Sequence, residues 1–192
     1  MTVLIIGLIL FLGVHSVRIF AEGWRGQFIA QRGAGAWKGL YSVISIVGFG
    51  LILWGYGLAR AEPTVLWAPQ PWARHLAALL MIFAFILLAA AYVPKNSIKG
   101  WVHHPMVLGV KVWALAHLLA NHTLADLLLF GSFLVWAVLD FRAARQRDRA
   151  AGNAGVRGTL AGTLIAVVAG LVAYLVFAFW LHTWLFGVRP MG

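Results

Sequence analysis

Long apolar runs, each broken from the next by a short polar or basic loop, constrain this chain more than any other feature. Six such stretches lie near Thr2–Phe20, Gly39–Ala59, Ala73–Val93, Pro105–Ala120, Thr123–Phe141 and Thr159–Phe186. A helix needs about 20 mainly apolar residues to cross the hydrocarbon core of a bilayer. In lipid the backbone must satisfy its own hydrogen bonds, so runs of this length are expected to be helices. Composition agrees: 62% of residues are hydrophobic and 10% charged, whereas soluble domains are about 45–50% apolar and about 25% charged. Too few polar side chains remain to cover a water-facing surface. The expected fold is therefore all-α, a polytopic transmembrane helix bundle of about six spans forming one domain over residues 1–192. The first run, Val3 to Val17, has no basic residue before Arg18. It lacks the charge-first layout of a secretory signal and is expected to be a retained span.

The basic residues orient these spans. Loop 18–38 carries Arg18, Arg25, Arg32 and Lys38, loop 94–104 carries Lys95 and Lys99, and loop 142–158 carries Arg142, Arg145, Arg147, Arg149 and Arg157. Only Arg60, Arg74 and Arg189 fall on the opposite side, and Lys111 lies inside a run. The positive-inside rule places the basic loops in the cytoplasm and both termini outside. The net charge of +10 is thereby explained as topology. It does not form the single basic face that nucleic acid requires, so no nucleic-acid partner is expected. Trp67, Pro69, Pro71 and Trp72 in the outer loop read as interface anchors, and Gly152–Gly158 reads as a flexible connection.

Several chemistries are excluded. There is no cysteine, hence no disulfide, thiolate or cysteine-ligated cluster. No Gly-x-Ser-x-Gly, His-Glu-x-x-His or Walker-type loop appears. Seven histidines remain, and neutral imidazole is a ligand for haem iron, zinc and copper. His15 lies about one turn from the cytoplasmic end of the first span, and His103 and His104 start the fourth. His15 and His104 could therefore share one depth. His117 lies 13 residues after His104, about 20 Å along a helix, too far for both to bind one metal. His75, His122 and His182 read as helix-end residues, with His122 expected to pair with Asp126 one turn on. Lys111 stands seven residues after His104 on nearly the same face and needs a carboxylate partner unless it snorkels. Arg18, three residues after His15, either pairs with Glu22 or contacts an acid of a bound group.

The segment His104-Pro105-Met106-Val107-Leu108-Gly109, with Trp113 to Asn121 around His117, resembles the NnrU family of bacterial membrane proteins. His15-Ser16-Val17-Arg18, Gly39-Leu40-Tyr41-Ser42 and the stretch from Leu127 to Gly131 look similar too. The resemblance implies a multi-pass protein of the bacterial inner membrane linked to denitrification and nitric-oxide metabolism. The same family includes the plant and cyanobacterial 15-cis-zeta-carotene isomerase, which carries a b-type haem. Carried across, its histidine followed by serine falls on His15 and its histidine before proline on His104. His117 matches the next motif histidine. Met106 stands where the isomerase branch has glutamine, and His103 where it has arginine, which places the chain nearer the bacterial branch.

What the resemblance implies is a haem b protein with His15 and His104 as axial ligands and Arg18 and Lys111 near the propionates. Ligand exchange on reduction would open the iron to nitric oxide or to a small apolar substrate, as isomerase-like chemistry requires. Two other classes compete. A small-molecule transporter would line a path with Lys111, Asp126 and His117, although no inverted repeat or broken-helix pair of the transporter kind is seen. An assembly factor would dock a nitrite or nitric-oxide reductase, or another redox partner, through loop 142–158 without needing haem.

Overall fold

The computed structural model describes residues 1–68, 70–153, 155 and 157–190. It is all-helical, and among the described residues no strand forms beyond two isolated bridges. In chain order the elements are α1 (Thr2–Phe20), α2 (Glu22–Ala61), α3 (Pro71–Tyr92), α4 (Ser97–Val102), α5 (Pro105–Ala120), α6 (Leu124–Ala150), α7 (Leu160–Val176), a π-helical turn (Phe177–Leu181) and α8 (His182–Phe186). Five helices are long and apolar enough to cross a membrane, counting Leu160–Phe186 as one. The protein is thus a multi-pass membrane protein. Helix α5 coincides with the expected fourth run, but its 16 residues rise only about 24 Å, short of the roughly 30 Å hydrocarbon core.

Two other boundaries differ from the sequence reading. Helix α2 begins at Glu22 and contains a break at Gly33 (φ 85°, ψ 157°), so the expected loop before Gly39 is mostly helical. Helix α6 continues past Phe141 to Ala150, through residues expected to be loop. Ala, Arg and Gln favour helix, and nothing stops the chain until Gly152. There φ turns to +65°, Gly152 N–H donates to the Arg149 carbonyl (3.2 Å) and Asn153 N–H to that of Asp148 (3.0 Å). That pair of bonds is a Schellman cap, whose left-handed residue favours glycine. Pro69, and Ala154 and Val156 within Gly152–Gly158, lie outside the described residues.

Contacts resolve the chain into two compact units. One comprises Met1–Trp67 with His122–Asp140, the other Ala68–Asn121 with Phe141–Gly192. In the first, α1 packs along α2 at a seam where Gly48 meets the α1 backbone. A Cβ there would lie 2.8 Å from the Phe11 nitrogen, and small residues permit such close approach between membrane helices. Helix α6 opens in this unit with a capping box: Thr123 N–H donates to Asp126 Oδ2 (3.0 Å), and Asp126 N–H to Thr123 Oγ1 (3.3 Å). The outer-loop segment is tied to the same end. Leu66 N–H donates to the His122 carbonyl (2.8 Å), and Leu124 N–H to that of Thr64 (2.9 Å).

In the second unit, α3 packs against α5 and α7. Asn96, 2% exposed, organises the turn after α3. Its amide donates to the Ala90 and Val93 carbonyls (2.9 and 2.6 Å), and its oxygen caps α4 by accepting from Lys99 N–H (2.8 Å). Thr159, the cap of α7, donates its N–H to the Lys95 carbonyl (2.7 Å). The Asn96 bonds fix where α4 begins, and the helix ends at His103, whose N–H donates to the Lys99 carbonyl (2.9 Å).

Candidate functional site

His15 stands on α1 in the first unit. Its Nδ1–H donates to the Phe11 carbonyl one turn back (2.7 Å). A neutral imidazole has one donor and one acceptor, so this bond leaves the Nε2 lone pair free. Aromatic rings surround it: Phe11 stacks at 4.2 Å between centroids, Tyr41 lies at 5.0 Å, and Trp136 stands edge-on at 6.0 Å and 87°. Trp136 Nε1 is buried with no hydrogen-bond partner among the described residues. The niche therefore combines a basic nitrogen, an apolar wall and an unsatisfied donor. Arg18 approaches Glu22 at 3.9 Å, and both are well exposed. Arg25 makes the shorter contact with Glu22, at 2.9 Å.

His104 belongs to the second unit, where it occupies the cap of α5 ahead of Pro105. The chain reaches it through an unusual bend. His103 has φ 61° and ψ −49°, and His104 N–H donates to the Val102 carbonyl two residues back (2.7 Å). Together these define a γ-turn of the strained hand. A non-glycine residue in such a conformation costs about 1–3 kcal/mol, so the surroundings must hold it. They do so through Asp148 on α6: His104 Nε2 lies 2.8 Å from Asp148 Oδ2, and His103 Nδ1 lies 3.5 Å from the same oxygen. Arg145 reaches it as well, at 3.5 Å.

Past Phe141 helix α6 is polar and lies beyond its membrane-crossing stretch. There the Asp148 carboxyl is held below its ordinary value. Burial pulls the other way, but the His104 hydrogen bond and the attraction of His104, His103 and Arg145 outweigh it. Lys111 sits 6.0 Å above the Phe141 ring, and His104 meets the same ring edge-on at 6.2 Å. Phe141 thus joins the two, as their spacing on one helical face suggested. Lys111 has no ion pair among the described residues.

His117 repeats the His15 pattern. Its Nδ1–H donates to the Trp113 carbonyl (2.9 Å), and its ring lies 5.2 Å from that of Trp113. Of the residues singled out from sequence, His15 and Arg18 fall in the first unit; His104, Lys111 and His117 fall in the second. His122 does not pair with Asp126. That carboxylate accepts from Tyr56 OH (2.6 Å) and from Thr123 (Oγ1, 2.6 Å), while His122 Nδ1 is buried without a partner among the described residues. His182 is a satisfied helix-end residue, its Nδ1–H donating to the Val188 carbonyl (2.8 Å).

Sequence reasoning missed Asp148, Tyr56 and Trp136. Asp148 carried a signal, being the single acid among Arg142, Arg145, Arg147 and Arg149. Tyr56 and Trp136 carried none, because aromatic residues are abundant in these spans. Among known proteins, the family model described as NnrU protein matches residues 3–190. No curated protein and no solved structure matches the chain.

Proposed function

This chain belongs to the NnrU family, and we propose that it is a haem b-binding protein of the bacterial inner membrane that serves nitric-oxide metabolism. The observation that carries the reading is His15: its Nδ1–H is tied to the Phe11 carbonyl, which leaves Nε2 basic inside an aromatic niche. Ligating histidines are commonly held in this way, with the second ring nitrogen donating to a carbonyl or carboxylate.

The chemistry of each proposed ligand suits the group. His15 offers Nε2. His104 offers Nδ1, since its Nε2–H is taken by Asp148. The unsatisfied Trp136 N–H supplies a donor beside His15. Lys111, with no ion pair among the described residues, supplies a cation for a propionate, whereas Arg18 is already shared with Glu22. Bound haem supplies a redox-active iron that takes nitric oxide. His15 and His104 would hold that iron, Phe11, Tyr41 and Trp136 would exclude water around His15, and one of the two histidines would give way to an incoming ligand. Isomerase-like chemistry on a small apolar substrate is one use of such a site, and service to a denitrification reductase is another. The transport reading is weaker, because Asp126, which a polar path needs free, is engaged by Tyr56 and Thr123.

The test is the optical spectrum of the detergent-purified protein, oxidised and dithionite-reduced, with a pyridine haemochrome assay. The expected result is a low-spin b-type spectrum that His15→Ala and His104→Ala each abolish or convert to high spin, and that His117→Ala leaves intact. No Soret band after expression with ample haem overturns the reading.

A further inference from the structure

An acid set among four arginines on one helix would ordinarily pair with an arginine of that helix. Asp148 does approach Arg145, but at 3.5 Å. Its shortest contact goes instead to His104, 44 residues away in sequence, at 2.8 Å. That contact comes with a strained γ-turn at His103, which turns two consecutive histidines toward one carboxylate oxygen. The Asp148 side chain is 17% exposed, and the Schellman cap at Gly152 holds the helix end that carries it.

We infer that Asp148 is the positioning residue for His104, its carboxylate fixing the Nε2–H tautomer so that Nδ1 is the basic nitrogen presented to a metal. A neutral imidazole cannot donate and accept at the same nitrogen. A carboxylate on one nitrogen therefore decides which atom ligates and strengthens it as a donor. Arg145 and His103 each approach the same carboxylate oxygen at 3.5 Å. The metal half of this inference rests on the iron-ligand reading proposed above; the orientation half does not.

The test uses the full-length protein in detergent or nanodiscs with ring-15N-labelled histidine. Without haem, the wild type is expected to show the Nε2–H tautomer at His104. D148N, which keeps the side chain's size, loses that preference, and Asp148→Glu retains it. Arg145→Gln, which loosens Asp148 without touching His104, gives an intermediate result and serves where D148N folds poorly. With haem, D148N is expected to bind about tenfold or more weakly and to show a raised midpoint potential, both recovering toward wild type in Asp148→Glu. A His104 tautomer unchanged by D148N overturns the positioning role. A changed tautomer with unchanged affinity and potential overturns its extension to the metal. If the wild type takes up no haem, the functional reading fails by itself, and the tautomer measurement still decides the orientation.

Discussion

The bond between Tyr56 and Asp126 is expected to hold α2 to α6 in the first unit, and its strength can be bounded before it is measured. The distance is 2.6 Å, and Asp126 is 6% exposed. A hydrogen bond to a charged group is worth about 1.5–3 kcal/mol in soluble proteins. In membrane proteins, double-mutant cycles average about 0.6 and reach about 1.7 kcal/mol, because the unfolded segment also finds partners. A short bond to a buried carboxylate belongs at the upper end of the membrane range, so the expected Tyr56–Asp126 coupling is about 1.5 kcal/mol. Asp126→Asn should cost more than Tyr56→Phe, since it also weakens the capping box at Thr123. The cycle of Tyr56→Phe, Asp126→Asn and the double variant, unfolded in mixed micelles, gives the coupling directly. A coupling below about 0.3 kcal/mol, on the same scale, would refute the claim that this bond joins the helices.

Three further outcomes follow from the second unit and from the charge pattern. His103→Gly removes the strain of the γ-turn, about 1–3 kcal/mol, and adds unfolded-state freedom worth about 0.5–1 kcal/mol. The change also gives up the His103–Asp148 contact at 3.5 Å, worth about 0–1 kcal/mol, so a net gain of about 0.5–1 kcal/mol is expected, read as a higher unfolding temperature in detergent. Asp148 titrates lower in the folded protein than its ordinary value of 3.8, so its contribution is complete above that value and is lost as pH falls through the depressed folded one. The stability difference between wild type and D148N should therefore shrink on acidification below 3.8. For topology, the chain has no native cysteine, so single cysteines can be labelled without background. One at Gln146 is expected to react only from the cytoplasmic side and one at Pro63 only from outside, as the positive-inside rule requires.

The helices were legible because apolar length is a cumulative signal, and α1 and α5 were read to the residue. The ends of α2 and α6 were not. Residues 22–32 and 142–150 are polar helices, and polar residues carry no apolar run to mark them. The capping box at Thr123 and Asp126 is present in the sequence as Thr-x-x-Asp, but His122, one helical turn before Asp126, is spaced to pair with it as well. Asp126 instead accepts from the N–H and hydroxyl of Thr123 beside it and from Tyr56, 70 residues back in the chain. The candidate ligands His15, His104 and His117 were visible as rare polar residues in an apolar chain. Their hydrogen-bond partners were not, because a carbonyl one turn back belongs to every helix and Asp148 lies far away in sequence.

The π-helical turn at Phe177–Leu181 carries a consequence for anyone comparing this chain with a relative. A π turn accommodates one residue more than the α-helix on either side of it. Each residue of an α-helix advances about 100° around the axis, so a helical wheel drawn unbroken from Leu160 to Phe186 rotates everything after Leu181 by about that angle. His182, Trp184 and Phe186 would be assigned to the wrong sides. The turn is also where a relative shorter by one amino acid could close into regular α-helix with the flanking faces unchanged. A gap of one placed inside 177–181 keeps both flanks, Leu160–Val176 and His182–Phe186, aligned with their counterparts in space, whereas a gap placed elsewhere in the helix misaligns the residues between it and the turn.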